Sequence, residues 1–182
     1  MIARILYNII GRKQVLPKSE LLERAEGDAL MTAAGGPAGM LPRAFRRSVR
    51  IRQVDAGSCN ACEWECTALT NPVYDIQRFG VDFVASPRHA DILLVTGPVS
   101  AAMAAALKKT YLAMPSPKLV IACGDCARDG GVYRGSYAVT DGADKVVPVD
   151  AYIPGCPPTP ARIAQCIMKI VEASSRIKKD AR

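Results

Sequence analysis

The sequence predicts an α/β protein built on a parallel sheet with helices on both faces. Three observations carry this. Strand-like and helix-like runs alternate along residues 48–172, the order that gives right-handed crossovers between parallel strands. Two strand candidates, Asp91–Thr96 and Lys118–Cys123, are continuous apolar runs, as expected for strands covered on both sides. The prominent cysteine motifs all follow predicted strands, and ligands of such sheets sit beyond the carboxyl ends of the strands.

The elements follow in chain order. Residues 48–54 alternate, with Val49, Ile51 and Gln53 on one side. The alternation is expected to break before Val54, which leads into Gly57-Ser-Cys-Asn-Ala-Cys-Glu-Trp-Glu-Cys66. Residues 63–70 suit a helical turn, and Val81–Val84 a short strand. After the Asp91–Thr96 run, Ser100 can cap a helix to about Met114, where Pro115 stops it. Met103, Leu107, Tyr111 and Met114 recur at helical spacing and read as its packed face. Lys118–Cys123 is the next buried strand and Lys145–Val149 another. Thr159 then caps a final helix with Pro160 at its first position. Its inward stripe is Ile163, Ile167, Ile170, Val171 and Ile177, and Arg176, Lys178 and Lys179 suit the negative pole of its dipole.

Ahead of this domain, residues 1–47 read as an extended arm that contacts partners, leaving 48–182 as the α/β domain. Ile2, Ile5, Leu6, Ile9 and Ile10 fall at helical spacing between Arg4, Asn8 and Arg12. They suit either a short anchor on a partner or membrane surface, or an ordinary packed terminal helix. Pro17, Gly35-Gly36-Pro37, Gly39 and Pro42 break the stretch that follows, which has room for a helix near Ser19–Leu30. The charge is uneven. The whole chain is +7; residues 1–53 hold ten Lys/Arg against four Asp/Glu, and the remainder fourteen against thirteen. The basic arm thus suits acidic partner subunits or an anionic surface. Few aromatics and no nucleic-acid module argue against nucleic acid.

Seven cysteines are too many to ignore and odd in number, with no export signal ahead of them. A reducing, cytoplasmic setting is expected, and there such clusters bind metal or do redox work. No run approaches the roughly 18–20 apolar residues needed to span a bilayer, so a role at a membrane would depend on partners. Cys59 and Cys62 form a Cys-x-x-Cys pair that can present two thiolates to one centre. Cys126, before Gly130-Gly131, and Cys156, in Gly155-Cys-Pro-Pro158, look like the rest of a four-thiolate set. One [4Fe–4S] cluster is the favoured occupant. Zinc would accept the same ligands, and unliganded cysteines are the third reading. Structural zinc sites usually gather two close pairs, whereas this set is one pair and two distant singles. Cys123 and Cys126 themselves form a second Cys-x-x-Cys, and the pattern does not say which of them is the ligand. Cys166 lies in the apolar stripe of the last helix and Cys66 faces the same way as Cys62; both read as packed side chains. His89, the only histidine, reads as a loop residue rather than a catalytic base. Glu63 and Glu65 read as a solvated helix face, or as carboxylates facing a partner near the metal site.

These motifs resemble one family. Cys59-Asn-Ala-Cys-Glu-Trp-Glu65, Arg78-Phe-Gly80, Ser86-Pro-Arg-His-Ala-Asp91, Cys126 with Gly130-Gly131, and Val147-Pro-Val-Asp150 through Ile153-Pro-Gly-Cys-Pro-Pro-Thr-Pro160 are similar to the small iron–sulfur subunit shared by complex I and the energy-converting [NiFe] hydrogenases. The resemblance spans roughly residues 48–172. It implies a flavodoxin-like sheet and one [4Fe–4S] cluster on Cys59, Cys62, Cys126 and Cys156, taking Cys126 over Cys123. Complex I subunits carry adjacent cysteines in the first loop; the Cys-x-x-Cys-Glu form here looks closest to the membrane-bound, formate-hydrogenlyase-type branch. Ala61 stands where the family usually has Gly, and Cys66 and Cys123 are additional. The chain ends soon after the last helix, leaving room for one cluster. The implied partners are a hydrogenase-type large subunit with a Ni–Fe site, a ferredoxin-like iron–sulfur subunit and membrane subunits. The implied place is the cytoplasmic side of the inner membrane. The subunit itself is expected to be non-catalytic. A complex-I-like role, passing electrons to quinone near Arg78-Phe-Gly80, is the alternative.

Overall fold

The computed structural model describes the backbone of residues 31–32 and 48–176, and the side chains of 48–170. The helices expected within 1–13 and near Ser19–Leu30 lie outside the described residues, as do the side chains of Val171, Arg176, Ile177, Lys178 and Lys179.

Six strands form a single sheet: β1 (Met31–Thr32), β2 (Val49–Asp55), β3 (Val81–Phe83), β4 (Ile92–Thr96), β5 (Leu119–Cys123) and β6 (Ala151–Ile153), in the order β1-β6-β5-β4-β2-β3. The last five are mutually parallel, and β1 joins the β6 edge antiparallel. Counted along the chain, the parallel strands run second, first, third, fourth, fifth, which is the flavodoxin-like order. The α/β expectation is therefore met, with an antiparallel edge strand from the arm added to it.

Strand period explains the two cores. Ile92 and Leu94 of β4, with Leu119, Ile121 and Cys123 of β5, face one side. There they pack against α1 (Ala61–Ala68) and α4 (Pro160–Arg176), chiefly through Cys66, Ile163, Cys166 and Ile167. Leu93, Val95, Val120 and Ala122 face the other side, where Leu107 of α2 (Ala101–Ala113) and Met114 meet them. Both faces of the central strands are thus covered, and their sequences need no alternation. Val54 does not break the pattern of β2: it joins the second core, opposite Val49 and Ile51.

The helix ends follow their sequence signals. Ser100 Oγ accepts from the Met103 N–H at 3.3 Å and opens α2. Thr159 Oγ1 accepts from Arg162 N–H at 3.3 Å at the start of α4. One strand is displaced. Residues 143–145 form a short 3₁₀ turn, and the strand expected at Lys145–Val149 begins only at Ala151. Pro148 has no N–H for a ladder. Pairing with β5 starts at Asp150, whose N–H donates to Val120 O at 2.9 Å while its carboxylate accepts the Val120 N–H at 2.7 Å.

Candidate metal centre

The ends of β2, β5 and β6 lie on one edge of the sheet, and each turns into a loop that carries cysteine. After β2, the Asp55 carboxylate accepts the N–H groups of Gly57 and Ser58, both at 2.8 Å, and Ser58 Oγ accepts that of Asn60 at 3.0 Å. This self-bonded loop delivers Cys59, then Asn60 in a left-handed conformation (φ 70°), then α1 with Cys62 in its first turn. Cys59 is exposed and Cys62 buried.

The other two loops are tied together by backbone bonds. Gly124 N–H donates to Ile153 O at 2.8 Å, and Asp125 N–H to Gly155 O at 2.9 Å. The Asp125 carboxylate in turn accepts from Gly155 N–H at 3.2 Å and pairs with Arg128 at 3.2 Å. Cys126, on the short helix α3 (Asp125–Asp129), is thereby brought within electrostatic reach of Cys156. Asp125 is a residue that sequence reading missed. Its signal was its place next to Cys126, and its partner is thirty residues away.

The electrostatics show that the four thiols share a neighbourhood. Burial pushes the Cys126 thiol up to about 11, and the next influences on it come from Cys156, Cys59 and Cys62. Val132 N–H bonds to the Cys126 sulfur and opposes that rise. Cys62 is lowered from the ordinary thiol value, first by a hydrogen bond with Cys123; burial and the charges of Glu63, Asp125 and Glu65 pull the other way. Cys123 is fully buried and raised well above the ordinary value by its bonds with Cys62 and Cys66 and by desolvation.

Glycine gives the sulfurs room. A Cβ on Gly124 would stand 2.8 Å from Cys62 Sγ, and one on Gly131 3.0 Å from Cys126 Sγ. The donor set is soft, sulfur-rich and cleared of obstruction, which fits an iron–sulfur group. Among the described residues, no three His, Cys, Asp or Glu side chains gather closely enough for a single metal ion. Zinc bonds of about 2.3 Å would need sulfurs only about 3.8 Å apart.

The remaining candidates fall as follows. Cys66 and Cys166 are core residues, 1% and 0% exposed. His89 is exposed at the end of a 3₁₀ turn (Pro87–His89). Glu63 is not a solvated face residue: both carboxylate oxygens are buried without a hydrogen-bond partner among the described residues. Trp64 next to it is 67% exposed, and Val132, Tyr133 and Tyr137 after Cys126 are exposed too. A cavity of about 540 Å³ opens beside α1 where β3 ends, lined by Arg52, Gln53, Asp55, Cys66 and Phe83 among others. Arg78, Phe79 and Gly80 do not line it; the Arg78 guanidinium lies over the Phe79 ring, 4.6 Å from its centre.

Fold and site together define a flavodoxin-like domain that presents thiols from three strand ends at one margin. The family described as "NADH ubiquinone oxidoreductase, 20 Kd subunit" matches residues 59–170, and the chain belongs to that family of oxidoreductase-complex subunits. Over 121 residues it is 49% identical to formate hydrogenlyase subunit 7 of Escherichia coli (strain K12), covering 66% of this chain and 48% of that one. It is 44% identical over 133 residues to the probable membrane-bound hydrogenase subunit mbhJ of Pyrococcus furiosus, covering 73% and 80%. The chain thus spans about half the length of the first relative and most of the second. Among solved structures, a chain of the membrane-bound sulfane sulfur reductase, an archaeal respiratory membrane complex, superposes with a TM-score of 0.64 at 35% identity over 73% of each chain. A chain of an NAD+-reducing [NiFe]-hydrogenase in the H2-reduced state shares the fold, with a TM-score of 0.55 at 20% identity, over 69% of this chain and 92% of that one.

Proposed function

We propose that the chain is an electron-transfer subunit that holds one [4Fe–4S] cluster on Cys59, Cys62, Cys126 and Cys156. It serves a membrane-associated complex of the [NiFe]-hydrogenase kind. The observation that carries this is the meeting of cysteines from three distant segments at the carboxyl edge of one sheet, with Cys126 feeling the other three. Such a group would supply one-electron chemistry; the chain binds, orients and shields it. Cys62 and Cys126 are buried, while Cys59 and Cys156 are exposed, so the group would sit at the margin, facing a neighbour.

That neighbour is a large subunit of the hydrogenase type, where the Ni–Fe site is expected. The exposed Trp64, Val132, Tyr133 and Tyr137 beside the cysteine loops are the apolar and aromatic residues such an interface uses. A ferredoxin-like subunit passes electrons on the other side. Among the described residues no helix is long and apolar enough to cross a membrane. In this reading membrane subunits hold the chain in place on the cytoplasmic side, with residues 1–47 as an arm toward them. The names of the formate hydrogenlyase and membrane-bound hydrogenase relatives support the choice. A second reading is favoured by the family's own description: a complex-I-like subunit that passes electrons to quinone.

Anaerobic purification of the complex tests both. The first reading expects four irons and four labile sulfides on this chain, and nickel on a large subunit with two Cys-x-x-Cys pairs. A large subunit without those pairs and without nickel favours the second. Zinc without iron or sulfide on this chain defeats both.

A further inference from the structure

β2 outruns its neighbour on one side. Its pairing with β4 continues to Asp55 opposite Thr96, whereas its pairing with β3 stops at Ile51 opposite Phe83. One further bond, from Val84 N–H to Ile51 O at 2.9 Å, ends the contact. Beyond it, Gln53 has no strand beside it on that edge, and an open edge invites a further strand. The cavity of about 540 Å³ lies at this gap. It is lined from β2 by Arg52 and Gln53, from the end of β3 by Val84, and from α1 and the turn after it by Thr67 and Thr70.

The lining is short of a negative charge. Arg52 Nε is buried without a hydrogen-bond partner, and Arg52 forms no ion pair among the described residues. A buried donor left unpaired costs free energy, and a carboxylate satisfies a guanidinium through two parallel N–H···O bonds. Asp55 also lines the cavity, but one of its oxygens is committed to the N–H groups of Gly57 and Ser58, both at 2.8 Å. Thr67 and Thr70 give their hydroxyl hydrogens to Glu63 O and Thr67 O, at 2.9 and 2.8 Å. They therefore offer only acceptor lone pairs. The gap suits an occupant with a carboxylate for Arg52 and N–H donors for the threonines and the β2 edge. An extended peptide with an acidic side chain has both. The first 53 residues of this chain hold ten Lys/Arg against four Asp/Glu, so its own arm has the wrong sign.

We propose that this gap is a docking site for an extended acidic segment of a partner subunit. The segment lies along β2 past the end of β3, pairs its main chain with Gln53 and places an Asp or Glu carboxylate on Arg52. This rests on the reading that the chain works inside a complex, and is independent of the metal group.

The experiment is photo-crosslinking in the purified complex, with p-benzoylphenylalanine in place of Thr70. The same residue in place of Leu112, which is 66% exposed on α2, is the control. Crosslinked peptides are identified by mass spectrometry. Position 70 should capture one partner segment that contains Asp or Glu, and position 112 should not capture it. Arg52→Glu should lower that yield on the order of tenfold or more, and Lys in place of the partner's carboxylate should restore it. Arg52→Met keeps an unbranched stem without the charge and should lower the yield as well. It decides the matter if Arg52→Glu does not fold. An unchanged yield in Arg52→Met, or a captured segment without a carboxylate, overturns the proposal. Capture of residues 1–47, or of a second copy of this chain, overturns it too. A small organic acid retained by the natural complex and lost from Arg52→Met, with no capture, would overturn it in favour of a small-molecule site. A complex with its partners present and no crosslink sinks this inference alone. A chain that purifies without any partner sinks the complex reading, and this inference with it.

Discussion

Gly124→Ala separates the sulfur geometry from ordinary stability. Gly124 has φ 88° and ψ 159°, a region that residues with a side chain avoid, at a cost of about 1–3 kcal/mol. The new Cβ would also stand 2.8 Å from Cys62 Sγ and 3.4 Å from the Gly155 carbonyl oxygen, with Pro158 Cδ at 3.8 Å. Restoring normal contact of about 3.5–4.0 Å requires the sulfur to move by about 1 Å. Ligand distances tolerate only about 0.2 Å, so Cys62 would leave the set. Strain of about 2 kcal/mol lowers the melting temperature by about 4–8 °C in a chain of this size. The control is Gly135→Ala. Its φ is 77° but a Cβ there meets nothing within 4 Å, so it carries strain without a clash. The assays are anaerobic thermal unfolding together with iron and sulfide per chain. Gly124→Ala should lose both stability and iron, and Gly135→Ala only some stability. A Gly124→Ala protein with full iron and an unchanged resonance spectrum refutes the argument. Equal iron loss in both variants would assign the effect to backbone strain instead.

Cys156→Ala should abolish iron binding, whereas Cys166→Ala, in the core under α4, should keep the iron and cost on the order of 1 kcal/mol in denaturant unfolding. Iron loss in both would show the ligand assignment to be wrong. Leu107→Ala removes the fully buried anchor of α2 and should cost about 2–5 kcal/mol with no change in the resonance spectrum. Burial raises the Cys166 thiol from an ordinary 9.0 to about 11, against the opposing charges of Lys169 and Arg162. A raised folded-state value means its stabilising contribution is complete below pH 9 and fades as pH climbs toward 11. The natural chain should therefore lose on the order of 2 kcal/mol relative to Cys166→Ala across that window. Parallel pH curves for the two proteins would contradict this.

The sheet was legible because its central strands are written without ambiguity. Ile92–Val95 and Leu119–Cys123 are continuous apolar runs, buried on every residue and bounded by turn residues, and Ser100, Thr159 and Pro160 mark the helix starts. The strand expected at 145–149 failed because apolar content outweighed Pro148; a missing N–H matters only where a neighbouring strand needs it, and the neighbour here is β5. β1 was not legible at all. Two residues carry no period, and their pairing with Tyr152 and Ala151 is a fact about the far end of the chain.

The cysteine spacing by itself determined that Cys59 and Cys62 form a pair and that Cys126 and Cys156 are candidates to join it. Where Cys123 and Cys126 each end up belonged to the tertiary structure. Side chains alternate across a strand, so Cys123 turns into the core with Cys66, while the tie between Asp125 and Gly155 joins the loops that carry Cys126 and Cys156. Proximity across thirty residues depends on strand order and on hydrogen bonds between loops, and no local pattern encodes either. The burial of the Glu63 carboxylate was decided the same way, by what α1 packs upon rather than by the charge of the residue.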